Sequence, residues 1–224
     1  EGDALFRMPV FDQHVEDNPV AALAQVRGEI HRMSITVNAA YANALEGLEK
    51  RDHRTVRLRQ RFEAHINDMH KAISTFLAKT MQSEINEEIS NDIAEQMRIV
   101  NNLERIGDAV EALGLLCEDI VDKELRFNES AMGDLFIISA KVDEFLNLVS
   151  QALLKQPPRL LENAEEREKT IDSMRETMRD AHIERLKVGK CGIEGGLAFI
   201  NLLARLEKIG DYCYSISRTL ASQR

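Results

Sequence analysis

The sequence predicts an all-α protein built as two tandem antiparallel three-helix bundles, the product of an internal duplication. Three observations carry that expectation. Turn formers are scarce, with only 4 Pro and 11 Gly in 224 residues. Few turns in a long chain mean few, long elements. Apolar residues recur at the i, i+3/i+4, i+7 spacing of a half-buried helix along most of the chain. Finally, one hexapeptide occurs twice, as LERIGD at 103–108 and LEKIGD at 206–211, 103 residues apart.

The elements follow in order. Residues 1–17 show no helical period and read as an extended leader or linker. Asn18-Pro19 reads as an N-cap with Pro in the first turn, and Val26, Ile30, Met33, Val37, Tyr41, Leu45 and Leu48 carry one apolar face. A second helix is expected over 53–80, with Val56, Phe62, Ile66, Met69, Ile73, Phe76 and Leu77 on one side. A long third runs from near Glu84 to Asp122. The cap-like Asn128-Glu129-Ser130 starts a fourth, which ends near Leu154 before Pro157-Pro158. The fifth follows the prolines to about Val188, with a break expected around Asn163. VGKCG at 188–192 is a turn in which Gly189 suits a left-handed C′ position, and the sixth helix covers about 193–220. Three helices and then three helices place a first bundle at 18–125 and a second at 126–224.

Composition narrows the function. A formal charge of −9 disfavours nucleic acid as a partner, because phosphate backbones need clustered Lys and Arg, and is compatible with cation binding. Cys117, Cys191 and Cys213 lack metal-ligand or redox spacing and read as small apolar residues in a reducing compartment. The longest apolar run, 195–204, is too short to span a bilayer and contains Asn201. No signal peptide is recognisable. The chain begins at Glu1 rather than Met, which suggests a piece of a longer protein. No nucleophile triad, P-loop or zinc motif occurs, so no enzymatic activity is expected.

The repeated motif is locally unfavourable. Glu104 and Asp108, and Glu207 and Asp211, lie one turn apart on one helix face and repel. Gly107 and Gly210 interrupt helices at a cost of about 1 kcal/mol each relative to Ala. Such glycines point to the close approach of another helix or a ligand. In each half the preceding helix has a matching pair, Glu63/Asn67 and Glu168/Asp172. If each helix pair folds as an antiparallel hairpin, facing residues share a constant index sum. Glu168/Asp211 and Asp172/Glu207 then share one sum whose midpoint falls between Gly189 and Lys190, in the glycine turn. Glu63/Asp108 and Asn67/Glu104 share another, centred between Ile85 and Asn86. Both sets lie about 30 Å from their turns. Three or four carboxylates meeting between helices need protons, counter-ions or metal, and bundles do build metal sites from inward carboxylates. Oxygen-only ligands favour Mg, Ca, Mn or iron. The plainer reading is a solvated face with surface ion pairs from Arg61, Arg105, Arg167 and Lys208. His65, His70 and His182 read as packing or solvent-facing residues, with His70 a candidate to join Asn67.

On these residues the chain resembles the PhoU family of phosphate-uptake regulators: ERIGD or EKIGD in both halves, each preceded by a helix bearing Glu-x-x-x-Asp or its equivalent. The resemblance covers about 20–222. It implies a PhoU-like pair of three-helix bundles and a regulatory rather than catalytic role. It also implies metal sites, often multinuclear, at Glu63, Asn67, Glu104 and Asp108 in the first half and Glu168, Asp172, Glu207 and Asp211 in the second. Asn67 departs from the carboxylate pattern, so the first site is expected to bind metal more weakly. Residues 9–33 resemble the junction entering the PhoU-like C-terminal domain of bacterial Na/Pi cotransporter proteins. That implies a cytoplasmic regulatory domain, on the inner face of the inner membrane, of a sodium:phosphate symporter, with the transmembrane transport domain of the same chain as partner and a homo-oligomer allowed.

The alternative is a free-standing regulator that binds a phosphate ABC transporter and a sensor kinase. A metal-free oligomerisation module is a further reading. A di-iron oxidase fits poorly, because that design uses Glu-x-x-His and no histidine here has Glu three residues before it.

Overall fold

The structure is a computed structural model that describes residues 5–12, 18–189 and 192–222. Among the described residues are six long helices and one short one. Helix α1 spans Pro19–Lys50, the five-residue α2 spans His53–Arg57, and α3 spans Arg59–Thr80. Helix α4 is Glu87–Asp122, α5 is Glu129–Leu154, α6 is Leu160–Lys187, and α7 is Ile193–Ala221.

Capping explains most of the boundaries. The Asn18 side chain accepts from the Ala21 N–H at 3.2 Å, Asn86 from Ile89 at 2.9 Å, and Asn128 from Ala131 at 2.8 Å. Each satisfies a donor that the first helical turn leaves orphaned. The cap at Asn86 moves the start of the third long helix from the expected Glu84 to Glu87. Arg51 ends α1 in a left-handed conformation, φ 51°.

Two expectations are corrected. The helix expected over 53–80 is interrupted at Leu58, although both of its parts pack on α1 and α4. Val56, in α2, is fully buried and sits where Gly47 of α1 lacks a side chain; a Cβ there would lie 2.6 Å from Val56 Cγ1. Arg59, one residue past the break, turns toward α4 and pairs with Glu111 and Glu118. The fifth long helix has no break near Asn163; it starts after Arg159 (φ 57°) and runs unbroken to Lys187. Gly189 has the expected positive φ, 69°, while Lys190 and Cys191 of the expected turn lie outside the described residues.

Helices α1, α3 and α4 pack as one three-helix bundle, and α5, α6 and α7 as a second. The bundles meet side by side along α4–α7 and α1–α5. One buried apolar cluster runs through both. Polar pairs punctuate the α1–α5 seam. Ser34 and Ser150 hydroxyls meet at 2.9 Å, and the Tyr41 hydroxyl donates to the Ser139 carbonyl at 2.9 Å. Cys117 and Cys213 are buried thiols, as expected; burial pushes Cys117 up to about 12 and Cys213 higher still. Cys191 lies outside the described residues.

Of the expected leader, 1–4 and 13–17 lie outside the described residues. Residues 5–12 are more than a linker. Phe6 packs on Phe62 with centroids 5.1 Å apart, under the Arg61 guanidinium at 4.0 Å. Phe11 stacks on Phe76 at 4.2 Å. The segment straps along α3.

Candidate functional site

The two motif glycines position the site. A Cβ on Gly107 would lie 2.8 Å from Ile66 Cγ2, and one on Gly210 would lie 3.3 Å from Ile171 Cδ1. Both isoleucines are buried. In each half, therefore, the missing side chain lets the isoleucine of the preceding helix sit against the motif helix backbone. The close approach inferred from the cost of a mid-helix glycine is present twice, at equivalent positions. It carries the carboxylates flanking each isoleucine toward those flanking each glycine.

In the second bundle this brings three carboxylates together. Glu168 and Asp172 of α6 and Asp211 of α7 each offer an oxygen within 4.8 Å of the others. All three are half-buried. Burial, then the charges of Asp172 and Asp211, hold the Glu168 carboxyl above its ordinary range. Asp172 is raised by burial and by Asp211, with Arg175 pulling the other way. Negative charge in this group is thus only partly compensated. Lys208 donates to Asp211 at 3.0 Å, the surface pair that the plainer reading anticipated. The fourth expected member, Glu207, does not join. Arg175 Nη2 donates to its carboxylate at 3.0 Å and holds it away from Asp172. Arg175 was not singled out from the sequence, although its place three residues after Asp172 puts it on the same helix face.

The first bundle does not gather its motif residues in the same way. Asn67 Nδ2 donates to Glu63 Oε1 at 2.6 Å, so the amide that replaces a carboxylate engages its own helix neighbour. Glu104 is half-buried and Asp108 exposed. Among the described residues Glu63, Glu104 and Asp108 form no close carboxylate group; the one such group is Glu168, Asp172 and Asp211. His70 pairs with Asn101 Oδ1 at 2.9 Å, one turn from the carboxylates. His65 is buried against the Phe6 ring, and His182 is buried against Phe199 at 4.4 Å. Both histidines pack, as expected, and burial lowers the pKa of each. Arg61 stacks on Phe6 rather than pairing with a motif carboxylate, and Arg167 pairs with Glu144 at 3.1 Å.

The donor set suits a hard divalent cation. Three carboxylate oxygens, two of them from groups whose ionisation is suppressed first by burial and then by neighbouring carboxylates, supply charge and oxygen ligands but no sulfur or imidazole. A bound cation would relieve that repulsion directly.

Comparison with known proteins agrees with this architecture. The PhoU domain pattern matches residues 30–114 and 137–220, one stretch in each bundle. A Salmonella typhimurium protein named for inorganic phosphate export, YjbB, is 23% identical over 215 residues. The match covers 92% of this chain but only 38% of YjbB, so the chain spans well under half the length of that relative. A Thermotoga maritima protein named as a phosphate-specific transport system accessory protein, PhoU homolog 1, is 22% identical over 204 residues, covering 87% of this chain and 83% of that protein. The crystal structure of PhoU from Pseudomonas aeruginosa superposes with a TM-score of 0.83 at 19% identity, covering 91% of this chain and 97% of that one. With the duplicated motif, the paired glycine contacts and the family pattern in both halves, the chain belongs to the PhoU family.

Proposed function

We propose that this chain is a regulatory, non-catalytic component of phosphate transport that responds to a divalent cation held by Glu168, Asp172 and Asp211. The observation that carries the reading is the carboxylate group on α6 and α7, set at the duplicated motif of a PhoU domain. The cation is Mg, Mn, Ca or iron. In the first bundle, Glu63, Asn67, Glu104 and Asp108 would hold a cation more weakly, because it would have to gather carboxylates that stand apart and draw Glu63 away from Asn67. Glu207 becomes available to the Glu168, Asp172 and Asp211 site only if Arg175 releases it.

The better-supported form is a free-standing accessory protein on the cytoplasmic face of a phosphate transporter, with an ABC transporter and a sensor kinase as partners. The Thermotoga accessory protein supports it, since this chain covers 83% of that protein. A second reading is the regulatory domain of a longer sodium-dependent phosphate transporter. It rests on the YjbB match, in which 92% of this chain corresponds to 38% of a longer protein. No helix among the described residues is long and apolar enough to cross a membrane, so any membrane domain in that reading lies elsewhere in the parent.

The test is the size and fractionation of the native protein, detected with an antibody to this chain. A band near 25.4 kDa outside the membrane fraction supports the accessory form. A much larger band that pellets with membranes and resists salt washing supports the second. Titration of the metal-free protein with Mn followed by electron paramagnetic resonance tests the cation. Saturable binding lost in Asp211→Asn is expected; binding indifferent to that change would overturn the assignment.

A further inference from the structure

A surface groove of about 320 Å³ lies between α1 and α5, away from the carboxylate site. Its floor is apolar: Leu48 and Leu135 are buried beneath it, and Leu45, Met132 and Phe136 line it. Phe136 remains 48% exposed. Large apolar side chains clustered at an open groove mark a contact surface more often than isolated ones do. The rim is low, because Ala42 and Ala140 stand on its two walls.

The two charged side chains that line the groove are both acidic. Glu49 lies on α1 and Asp143 on α5, and both are exposed. The helices run antiparallel here: Tyr41 reaches Ser139, while Leu48, Glu49 and Met132 line both this groove and the adjoining cavity at the bundle end. Glu49 and Asp143 therefore sit at opposite ends of the groove. The lining stretch, Ala42 to Glu49 on one wall and Met132 to Asp143 on the other, is about 10–16 Å long, or two to three helical turns.

We propose that this groove docks a basic amphipathic helix of another protein, with Leu- or Phe-type side chains between α1 and α5 and Lys or Arg at each end against Glu49 and Asp143. Charge selects this occupant over a second copy of the chain. A two-fold contact through the groove would set Glu49 and Asp143 of one copy against the same acids of the other, on molecules that each carry −9. The wider cavity beyond Glu49 is lined by charges of both signs, including Arg51, Glu124 and Arg126, and adds no preference. The inference is independent of the cation and of whether the chain is free-standing.

The test uses the purified chain and a fluorescein-labelled, Ala-based helical peptide of about four turns, with a Leu stripe and Lys at both ends; a twin carries Glu at those ends. Anisotropy should show saturable binding of the Lys peptide in the micromolar range and much weaker binding of the Glu peptide. The double change Glu49→Lys and Asp143→Lys should weaken the Lys peptide about tenfold and favour its twin, as two exposed ion pairs allow. Ala140→Trp, which fills the groove, should abolish both without altering the far-UV spectrum. Equal binding of the two peptides, indifference to the double charge reversal, or absence of saturable binding would overturn the proposal. So would self-association of the unmodified chain that Ala140→Trp removes, which would give the groove to a second copy.

Discussion

Replacing Asp172 by Asn tests the site at its centre. Asp172 lies between Glu168 on its own helix and Asp211 across the hairpin, with ligand oxygens within 4.8 Å. Two unit charges 4.8 Å apart repel by about 1 kcal/mol at the dielectric of water, and by more in a half-buried setting. Asp211 is partly neutralised by Lys208 and Asp172 is itself attracted to Arg175, so the relief on removing the Asp172 charge is at most about 1 kcal/mol rather than the sum of two full pairs. Asn is nearly isosteric, so packing is unchanged. In EDTA at neutral pH, Asp172→Asn should therefore unfold at higher urea concentration than the unmodified chain.

The pH dependence has a definite sign. Glu168 and Asp172 have folded pKa values above their ordinary 4.5 and 3.8. Between those ordinary values and the raised ones, the folded state binds more protons than the unfolded state. The two groups therefore destabilise the fold above their folded pKa values, and the penalty is relieved as pH falls through that window. The advantage of Asp172→Asn should shrink over the same window. Saturating Mn or Mg should reverse the order: the unmodified chain gains about 2.7 kcal/mol at a hundredfold excess over Kd, while Asp172→Asn gains little. Urea denaturation followed by far-UV circular dichroism, with and without metal, measures both. A less stable Asp172→Asn in EDTA, or equal stabilisation of both proteins by metal, would refute the reasoning.

Three further outcomes are expected. Gly107→Ala should cost about 1–2 kcal/mol, because a new Cβ 2.8 Å from the stiff, buried Ile66 outweighs the roughly 1 kcal/mol gain in helix propensity. Gly210→Ala should be neutral or stabilising, because its 3.3 Å neighbour is the terminal methyl of Ile171; chemical denaturation compares the two. His182 is buried and its pKa depressed by burial and by Arg185, so its contribution is complete above pH 6.5 and is lost as pH falls toward its folded value. In His182→Phe that part of the acid sensitivity should vanish from the stability–pH curve. Phe6→Ala should cost about 1–2 kcal/mol through lost contact with Phe62 and Arg61 and should raise amide exchange along the outer face of α3.

Periodicity, caps and duplication were enough to place the helices, because these are local or repeated signals. Asn18 and Asn128 start helices for reasons contained in a few residues. The cost of a mid-helix glycine, met twice, was enough to infer close helix contact, and the index sums placed Glu168 opposite Asp211. Rotamers and competing partners were not legible in that way. Only the packed structure shows that Arg175 takes Glu207 away, that Asn67 turns back to Glu63, and that Arg61 covers Phe6. The break at Leu58 was not legible either: Val56 seats over Gly47 of α1, and Arg59 just past the break pairs with Glu118 of α4. A repeat in sequence determines that two sites have the same backbone frame. Which carboxylates converge within each frame depends on side chains one turn away, whose long, flexible charged groups choose among several partners of similar energy. That choice is settled by tertiary packing alone.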